Sequence, residues 1–202
     1  MPAGRPLGFV LAGGQSRRMG RDKALLPWGA GTLLDHALRR LAAVSDEVLV
    51  LSGRAGRYPG AGCPELPDAW PDAGPLGGLL AGLERLGKRP GLFLAVDVPL
   101  VPEALLAHLA SLLPGWDAVV PVLADGPQPL VAAYSGTCAE AVRSRLGRAE
   151  RRMTCFWPDV RVRELHEPDL QAFGPDVARL FANANAPAQF AELGGSQPPT
   201  ES

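Results

Sequence analysis

The sequence predicts an α/β fold built on parallel strands, and three observations predict it. Leu7-Gly8-Phe9-Val10-Leu11 is a short apolar run of β-favouring residues, the pattern of a buried parallel strand. A glycine-rich stretch follows at once, Leu11-Ala12-Gly13-Gly14-Gln15-Ser16-Arg17-Arg18-Met19-Gly20-Arg21-Asp22-Lys23. A helical pattern then begins at Thr32. Strand, glycine-rich loop and helix, in that order, are how α/β proteins present backbone N–H groups to an anion.

The remaining elements repeat the alternation. Pro27-Trp28-Gly29-Ala30-Gly31 reads as a turn, and Thr32-x-x-Asp35 has the form of a capping box with Asp in place of Glu. Leu33, Leu34, Ala37, Leu38 and Leu41 then recur at helical spacing. Val48-Leu49-Val50-Leu51 is a second buried strand, and residues 53–66, rich in Gly, Pro and Arg, read as an exposed loop. A stiff loop from Pro67 to Gly78 leads into a helix predicted over 79–86. Gly91-Leu92-Phe93-Leu94-Ala95-Val96 is the third strand, with Asp97 leaving its carboxyl end and a helix predicted over 104–113. Residues 118–122 and 129–134 form two further strands around Asp125-Gly126, residues 137–146 a helix, and 160–165 an alternating edge strand.

The first loop carries the strongest chemical signal. Gly13 and Gly14 admit positive φ and let a ligand approach without a Cβ in the way. Arg17, Arg18, Arg21 and Lys23 crowd four cations into a chain of net charge −1, and they repel one another unless an anion sits among them. A Walker A loop does not fit, because Gly14 and Gly20 are one residue too far apart and Arg21 follows. The dinucleotide fingerprint is absent as well, and the second strand ends Leu51-Ser52-Gly53-Arg54 with no acidic residue for a ribose. Of twenty Lys and Arg residues only Lys23 and Lys88 are lysine, so a lysine in this loop is informative. Asp97 stands where ligands of open α/β sheets gather. On the residues alone it reads equally as a metal ligand or as a helix-starting residue.

Composition bounds the rest. At 202 residues the chain suits a single domain over residues 1–193, with a small, polar, Pro-rich tail over 194–202 expected to be disordered. No apolar run approaches membrane-spanning length, and residues 7–12 are too short for the core of a signal peptide. Cys63, Cys138 and Cys155 are odd in number and share no ligand spacing, as expected for reduced thiols in a cytoplasmic protein. His36, His108 and His166 are scattered and read as surface or packing residues. A net charge near zero argues against a nucleic-acid or membrane binder.

The glycine-rich stretch resembles the signature Leu-Ala-Gly-Gly-x-Ser-x-Arg-Met-Gly-x-Asp-Lys of the molybdenum cofactor guanylyltransferases, part of a wider family of nucleotidyltransferases acting on sugars and small alcohols. Further motifs in order extend the resemblance over residues 7–193. Asp68, ahead of Gly74-Pro75-Leu76, resembles the family's nucleotide-contacting Asp; it is preferred over Asp72 because it follows the apolar edge 63–66. Asp97-Val98-Pro99 resembles the Mg²⁺-binding Asp-x-Pro, and Gly126-Pro127-Gln128-Pro129 the segment before an antiparallel strand. Asn183-Ala184-Asn185-Ala186-Pro187 resembles Asn-x-Asn-Thr-Pro, with Ala186 in place of Thr.

The resemblance implies a Rossmann-like, mostly parallel sheet with helices on both faces, like that of nucleotide-diphospho-sugar transferases. It implies transfer of GMP from GTP to the terminal phosphate of molybdopterin, with release of pyrophosphate and Mg²⁺ as cofactor. Leu11, Ala12, Gly13, Gly14, Lys23, Asp68 and Asp97 would bind the nucleotide. Arg18, Lys23 and Asp97 would act in catalysis, Asp97 holding the metal, and Asn183 and Asn185 would face the acceptor. Molybdoenzymes or cofactor-delivery proteins are the implied partners. The basic cluster Arg143, Arg145, Arg148, Arg151 and Arg152 reads either as a solvated helix end or as a seat for the pterin phosphate. Two alternatives stay open: a cytidylyl- or sugar-phosphate nucleotidyltransferase on the same fold, and a catalytically silent nucleotide-binding or cofactor-delivery protein.

Overall fold

The computed structural model describes residues 4–13, 22–70, 72–184 and 193. Gly14, Arg18, Asn185 and the tail from 194 lie outside the described residues. In chain order the elements are β1 (Leu7–Leu11), β2 (Pro27–Trp28), β3 (Gly31–Thr32), α1 (Leu33–Val44), β4 (Glu47–Gly53), β5 (Glu65–Pro67), α2 (Pro75–Leu86) and β6 (Pro90–Ala95). There follow α3 (Glu103–Leu112), β7 (Ala118–Leu123), β8 (Gly126–Pro127), β9 (Val131–Ser135), α4 (Cys138–Gly147), β10 (Val162–His166), α5 (Glu167–Leu170) and α6 (Val177–Leu180). Among the described residues no helix is long and apolar enough to cross a membrane.

The main sheet runs β10-β7-β9-β6-β1-β4-β5, with β8 paired to β7. β1 is parallel to both β4 and β6, whereas β9 is antiparallel to β6 and to β7. The chain builds outward from β1 to β4 and β5, then returns to lay β6 on the other flank of β1. That reversal opens a crevice at the carboxyl ends of β1 and β6, where open α/β sheets bind their ligands.

Residues alternate between two cores on opposite faces of the sheet. Val10, Val50, Leu92 and Leu94 pack with Leu33, Leu34 and Leu41 of α1 and Leu105, Leu106 and Leu109 of α3. Leu7, Phe9, Leu49 and Phe93 pack on the other face with Leu76, Leu79, Leu80 and Leu83 of α2 and Val142 and Leu146 of α4. Helices therefore cover both faces, as the sequence predicts. The capping box forms as read: Asp35 N–H donates to Thr32 Oγ1 at 3.1 Å, and Thr32 N–H donates to Asp35 Oδ2 at 2.8 Å.

Several boundaries differ from the sequence-based expectation; β5, for one, opens at Glu65 inside the predicted loop, and β10 begins at Val162 rather than at 160. α2 begins at Pro75 rather than at 79, because proline is well placed in a first turn and the glycines there are tolerated inside the helix. They serve close packing: a Cβ on Gly77 would lie 2.6 Å from the carbonyl oxygen of Trp70. β9 begins at Val131 rather than at 129, and Gly126–Pro127 makes the short strand β8. The predicted exposed loop over 53–66 contains a buried anchor, Tyr58, only 4% exposed.

Candidate active site

β1 delivers Leu11 and Ala12, both buried, and then Gly13, exposed, at the mouth of the crevice. The fold already uses much of the hydrogen-bonding capacity of the first two. Ala12 N–H donates to Leu51 O at 3.0 Å, and Leu11 O accepts from Val96 N–H at 3.1 Å. Ala12 O accepts from the Tyr58 hydroxyl at 2.9 Å. Those bonds leave the Leu11 and Ala12 carbonyls only their second lone pairs for a ligand. Gly13 does not adopt the positive φ foreseen for it; what matters there is the missing Cβ. A Cβ at that position would meet Gly53 N and Leu51 O at 3.5 Å, ordinary contact, so the protein itself would tolerate one there.

Lys23 opens a short 3₁₀ turn, Lys23–Leu25, whose capping residue is Asp22. Ala24 N–H donates to Asp22 Oδ1 at 3.2 Å. From this turn Lys23 Nζ reaches to 3.6 Å from Asp97 Oδ2, with the two side chains 22% and 25% exposed. Ion pair and crevice coincide: Asp97 follows the carboxyl end of β6, and Lys23 arrives from the loop after β1.

The turn carrying Asp97 is held from several sides. Val98 N–H donates to Ala95 O at 3.3 Å, and Ala184 N–H donates to the Asp97 carbonyl at 2.8 Å. That second bond brings Asn183, the neighbour of Ala184, to the same turn. α1 holds the continuation of the turn: His36 Nε2 lies 2.9 Å from Pro99 O and 2.9 Å from Arg40 Nε, while Arg40 Nη1 donates to Val101 O at 2.7 Å. Burial lowers the His36 pKa, with the Pro99 carbonyl opposing and the Arg40 and Arg39 charges adding to the shift. His36 is thus the packing residue that the sequence suggests.

Of the two candidate aspartates in the loop before α2, Asp68 faces the crevice. A Cβ on Gly53 would lie 3.8 Å both from Asp68 Oδ2 and from Gly13 Cα, and a Cβ on Gly78 would lie 3.3 Å from Asp68 Oδ1. Burial raises the Asp68 pKa, and the Arg57 charge opposes the shift. Asp72 is exposed, on a left-handed turn at φ 58°.

Sequence reasoning missed three residues at this end of the molecule: Asp22, Arg57 and Tyr58. Arg57 donates from Nε to Asp22 Oδ2 at 2.8 Å, and its Nη2 lies 2.7 Å from the same oxygen. The signals were an acidic residue directly before Lys23 and a lone aromatic in an otherwise polar, Gly- and Pro-rich segment. In the basic cluster, Arg143 pairs with Glu84 at 2.6 Å, and Arg145 pairs with Asp159 at 2.7 Å and Glu150 at 3.3 Å. Carboxylates of this chain answer those two charges, the solvated-helix reading.

Among the described residues no three His, Cys, Asp or Glu side chains converge on a metal position. A single, quarter-exposed carboxylate still suits Mg²⁺, which keeps several waters and takes one or two carboxylates together with substrate phosphates.

Comparison with known proteins shows the family and the fold. Residues 8–159 match the family model described as the MobA-like NTP transferase domain. A probable molybdenum cofactor guanylyltransferase of Pelotomaculum thermopropionicum is 33% identical over 183 residues, 91% of this chain and 89% of that one. Its counterpart in Deinococcus radiodurans is 35% identical over 188 residues, 92% of each. Among solved structures, molybdopterin-guanine dinucleotide biosynthesis protein A of Archaeoglobus fulgidus superposes with a TM-score of 0.80 at 22% identity, covering 93% of this chain and 96% of that one. The 2-C-methyl-D-erythritol 4-phosphate cytidylyltransferase of Thermus thermophilus superposes with a TM-score of 0.66 at 17% identity, covering 92% and 95%. At these identities the two structures speak for the fold.

Proposed function

Because the chain belongs to the MobA-like NTP transferase domain family, we propose that it transfers GMP from GTP to the terminal phosphate of molybdopterin, releasing pyrophosphate. The observation that carries this reading is the Lys23–Asp97 pair, 3.6 Å apart at the carboxyl ends of β1 and β6. In the reaction an oxygen of the molybdopterin phosphate attacks the α-phosphorus of GTP. A P–O bond forms there, and the bond from the α-phosphorus to the bridging oxygen breaks, that oxygen leaving with pyrophosphate.

The nucleophile is already an anion at neutral pH, so no general base is required. Charge neutralisation and alignment dominate phosphoryl transfer of this kind. The Lys23 ammonium offsets negative charge that grows toward the leaving group, and the exposed Gly13 backbone lets the nucleotide lie close to the sheet. Asp68, beside Gly53 and Gly78, would meet the nucleoside half, and Asn183, next to the residue whose N–H donates to the Asp97 carbonyl, would face the acceptor. Asp97 would hold Mg²⁺, which when bound acts as a Lewis acid on phosphate oxygens.

The test is pyrophosphate release with each of the four nucleoside triphosphates, with and without molybdopterin, and with Mg²⁺ or a chelator. The expected result is release that needs GTP, molybdopterin and Mg²⁺ together. Equal use of CTP would replace the guanylyl assignment with a cytidylyl one. Nucleotide binding without turnover under any condition would leave a silent binding protein.

A further inference from the structure

The loop between β4 and β5 is built as a brace, and its far end is the residue before Lys23. Arg57 and Tyr58 donate their backbone N–H groups to the two oxygens of Glu65, at 2.9 and 3.0 Å. Glu65 belongs to β5, which the sheet holds parallel to β4. The backbone at 57 and 58 is therefore tied to the sheet, and both side chains turn back toward the crevice.

There they converge on Asp22. Arg57 places Nε and Nη2 on Asp22 Oδ2 at 2.8 and 2.7 Å, while its Nη1 donates to Ser52 O at 3.2 Å. The Tyr58 hydroxyl lies 3.1 and 3.0 Å from the two Asp22 oxygens and 2.9 Å from Ala12 O, with one proton to share among them. One buried phenol thus joins the residue before Gly13 to the residue before Lys23. The Arg57 guanidinium also sits 5.3 Å from the Tyr58 ring centroid, over its face. A phenylalanine would fill the same apolar space, so packing alone does not account for the hydroxyl.

We infer that Tyr58 and Arg57 are positioning residues for Lys23, acting through Asp22 to hold the ammonium in place against Asp97. The inference rests on the transferase reading for its consequence in the reaction, but its structural core stands independently of that reading. Asp22 caps the turn that Lys23 opens, so a shift of the Asp22 carboxylate re-aims the next side chain. Charge-assisted bonds such as those from Arg57 are the strong ones, and a misplacement of about 1 Å at a reacting centre costs up to about a hundredfold in rate.

Two measurements test this, one of them independent of the reaction. The chain has only two lysines, Lys23 and Lys88, so reductive ¹³C-methylation gives two side-chain signals besides the amino terminus. Lys88→Arg assigns them. In the wild type the Lys23 signal is expected apart from that of exposed Lys88, shifted by Asp97. In Tyr58→Phe and in Arg57→Gln it should move toward the Lys88 position, while Arg57→Lys, which keeps a cation for Asp22, should hold it part-way. An unchanged Lys23 signal in folded Tyr58→Phe and Arg57→Gln overturns the inference.

The second measurement is pyrophosphate release. Tyr58→Phe should lower kcat on the order of tenfold with KM for GTP changed about twofold or less, and should cause no further loss in a Lys23→Ala background. Equal fractional losses in both backgrounds would mean that Tyr58 acts apart from Lys23, and would overturn the inference. A Lys23 signal that moves as expected in a protein that releases no pyrophosphate would leave the brace standing and remove the transferase reading instead.

Discussion

Two ion pairs at opposite ends of the same sheet show how differently a fold can hold charge. Asp117 precedes β7, at the amino end of the parallel strands, and its carboxylate is nearly saturated. It accepts from Arg161 N–H at 2.9 Å, from Arg161 Nε and Nη2 at 3.0 and 3.3 Å, and from the Thr137 hydroxyl at 2.9 Å. Asp97, at the carboxyl end, has Lys23 at 3.6 Å, beyond the length of a good hydrogen bond. The first pair closes the edge of the sheet by joining the start of β7 to the segment leading into β10. The second holds two opposite charges near each other at the crevice mouth, where in the proposed reaction an incoming phosphate would take the cation. On the proposed function, the saturated pair serves structure and the longer one serves chemistry.

The largest expected effect follows from that contrast. Asp97→Asn should lower the rate of pyrophosphate release about a hundredfold or more, because an amide keeps the shape but not the charge that would hold Mg²⁺. Its melting temperature should barely move, since a partly exposed pair at this distance contributes little to stability. Lys23→Ala should behave the same way, and Lys23→Arg should recover little, the planar guanidinium being bulkier and differently directed. Wild-type-like turnover of Asp97→Asn at limiting Mg²⁺ would break the contrast outright.

The site end was legible in the sequence where one residue sufficed. A glycine after a β-run, a lone lysine in an arginine-rich chain and an aspartate at a strand end each announce themselves through local pattern. The sequence prefers Asp68 to Asp72 because it follows the apolar edge 63–66, and the structure sets Asp68 near Gly53 and Gly78 while Asp72 is exposed. The brace was not legible. Tyr58 meets Asp22 across 36 positions, so a lone aromatic in a Gly- and Pro-rich segment can signal burial but not the partner it meets. The start of α2 differs from the expectation for a related reason: glycines at 77 and 78 signal a loop by propensity, whereas close packing against Asp68, Trp70 and Ala73 of the preceding loop rewards their missing side chains. The Asp117 network was missed too, since it joins three segments that lie far apart in the chain.

A smaller effect would sharpen the picture of the crevice mouth. Gly13→Ala should fold normally, because the added Cβ meets its neighbours at 3.5 Å and no closer. It should lower kcat/KM for GTP more than for CTP, on the order of tenfold, since the larger purine has the greater need of close approach to the backbone there. The ratio of the two specificity constants in wild type and variant, with circular dichroism as the folding check, decides the matter. A preference for GTP that survives the substitution would move base selection to the loop around Asp68.

The smallest effect lies at the opposite end and reverses the first. Asp117→Asn should leave turnover unchanged but lower the melting temperature at pH 7, roughly 2–4 °C for the loss of one well-bonded charged group in a chain of this size. The sign of its pH dependence follows from the Asp117 carboxyl, which its bonds to Arg161, and secondarily to Thr137, hold down at about 2 against an ordinary 3.8, burial opposing. Between those values the unfolded chain binds the proton more readily than the folded one, so stability rises with pH there. The stabilisation is complete above 3.8 and is lost as pH falls toward about 2. The melting difference between wild type and Asp117→Asn should therefore be constant from pH 7 down to about 5 and shrink at pH 3. A difference as large at pH 3 as at pH 7 would show that the asparagine costs stability by geometry and not by charge, and the saturated pair would then owe its hold to hydrogen-bond direction alone.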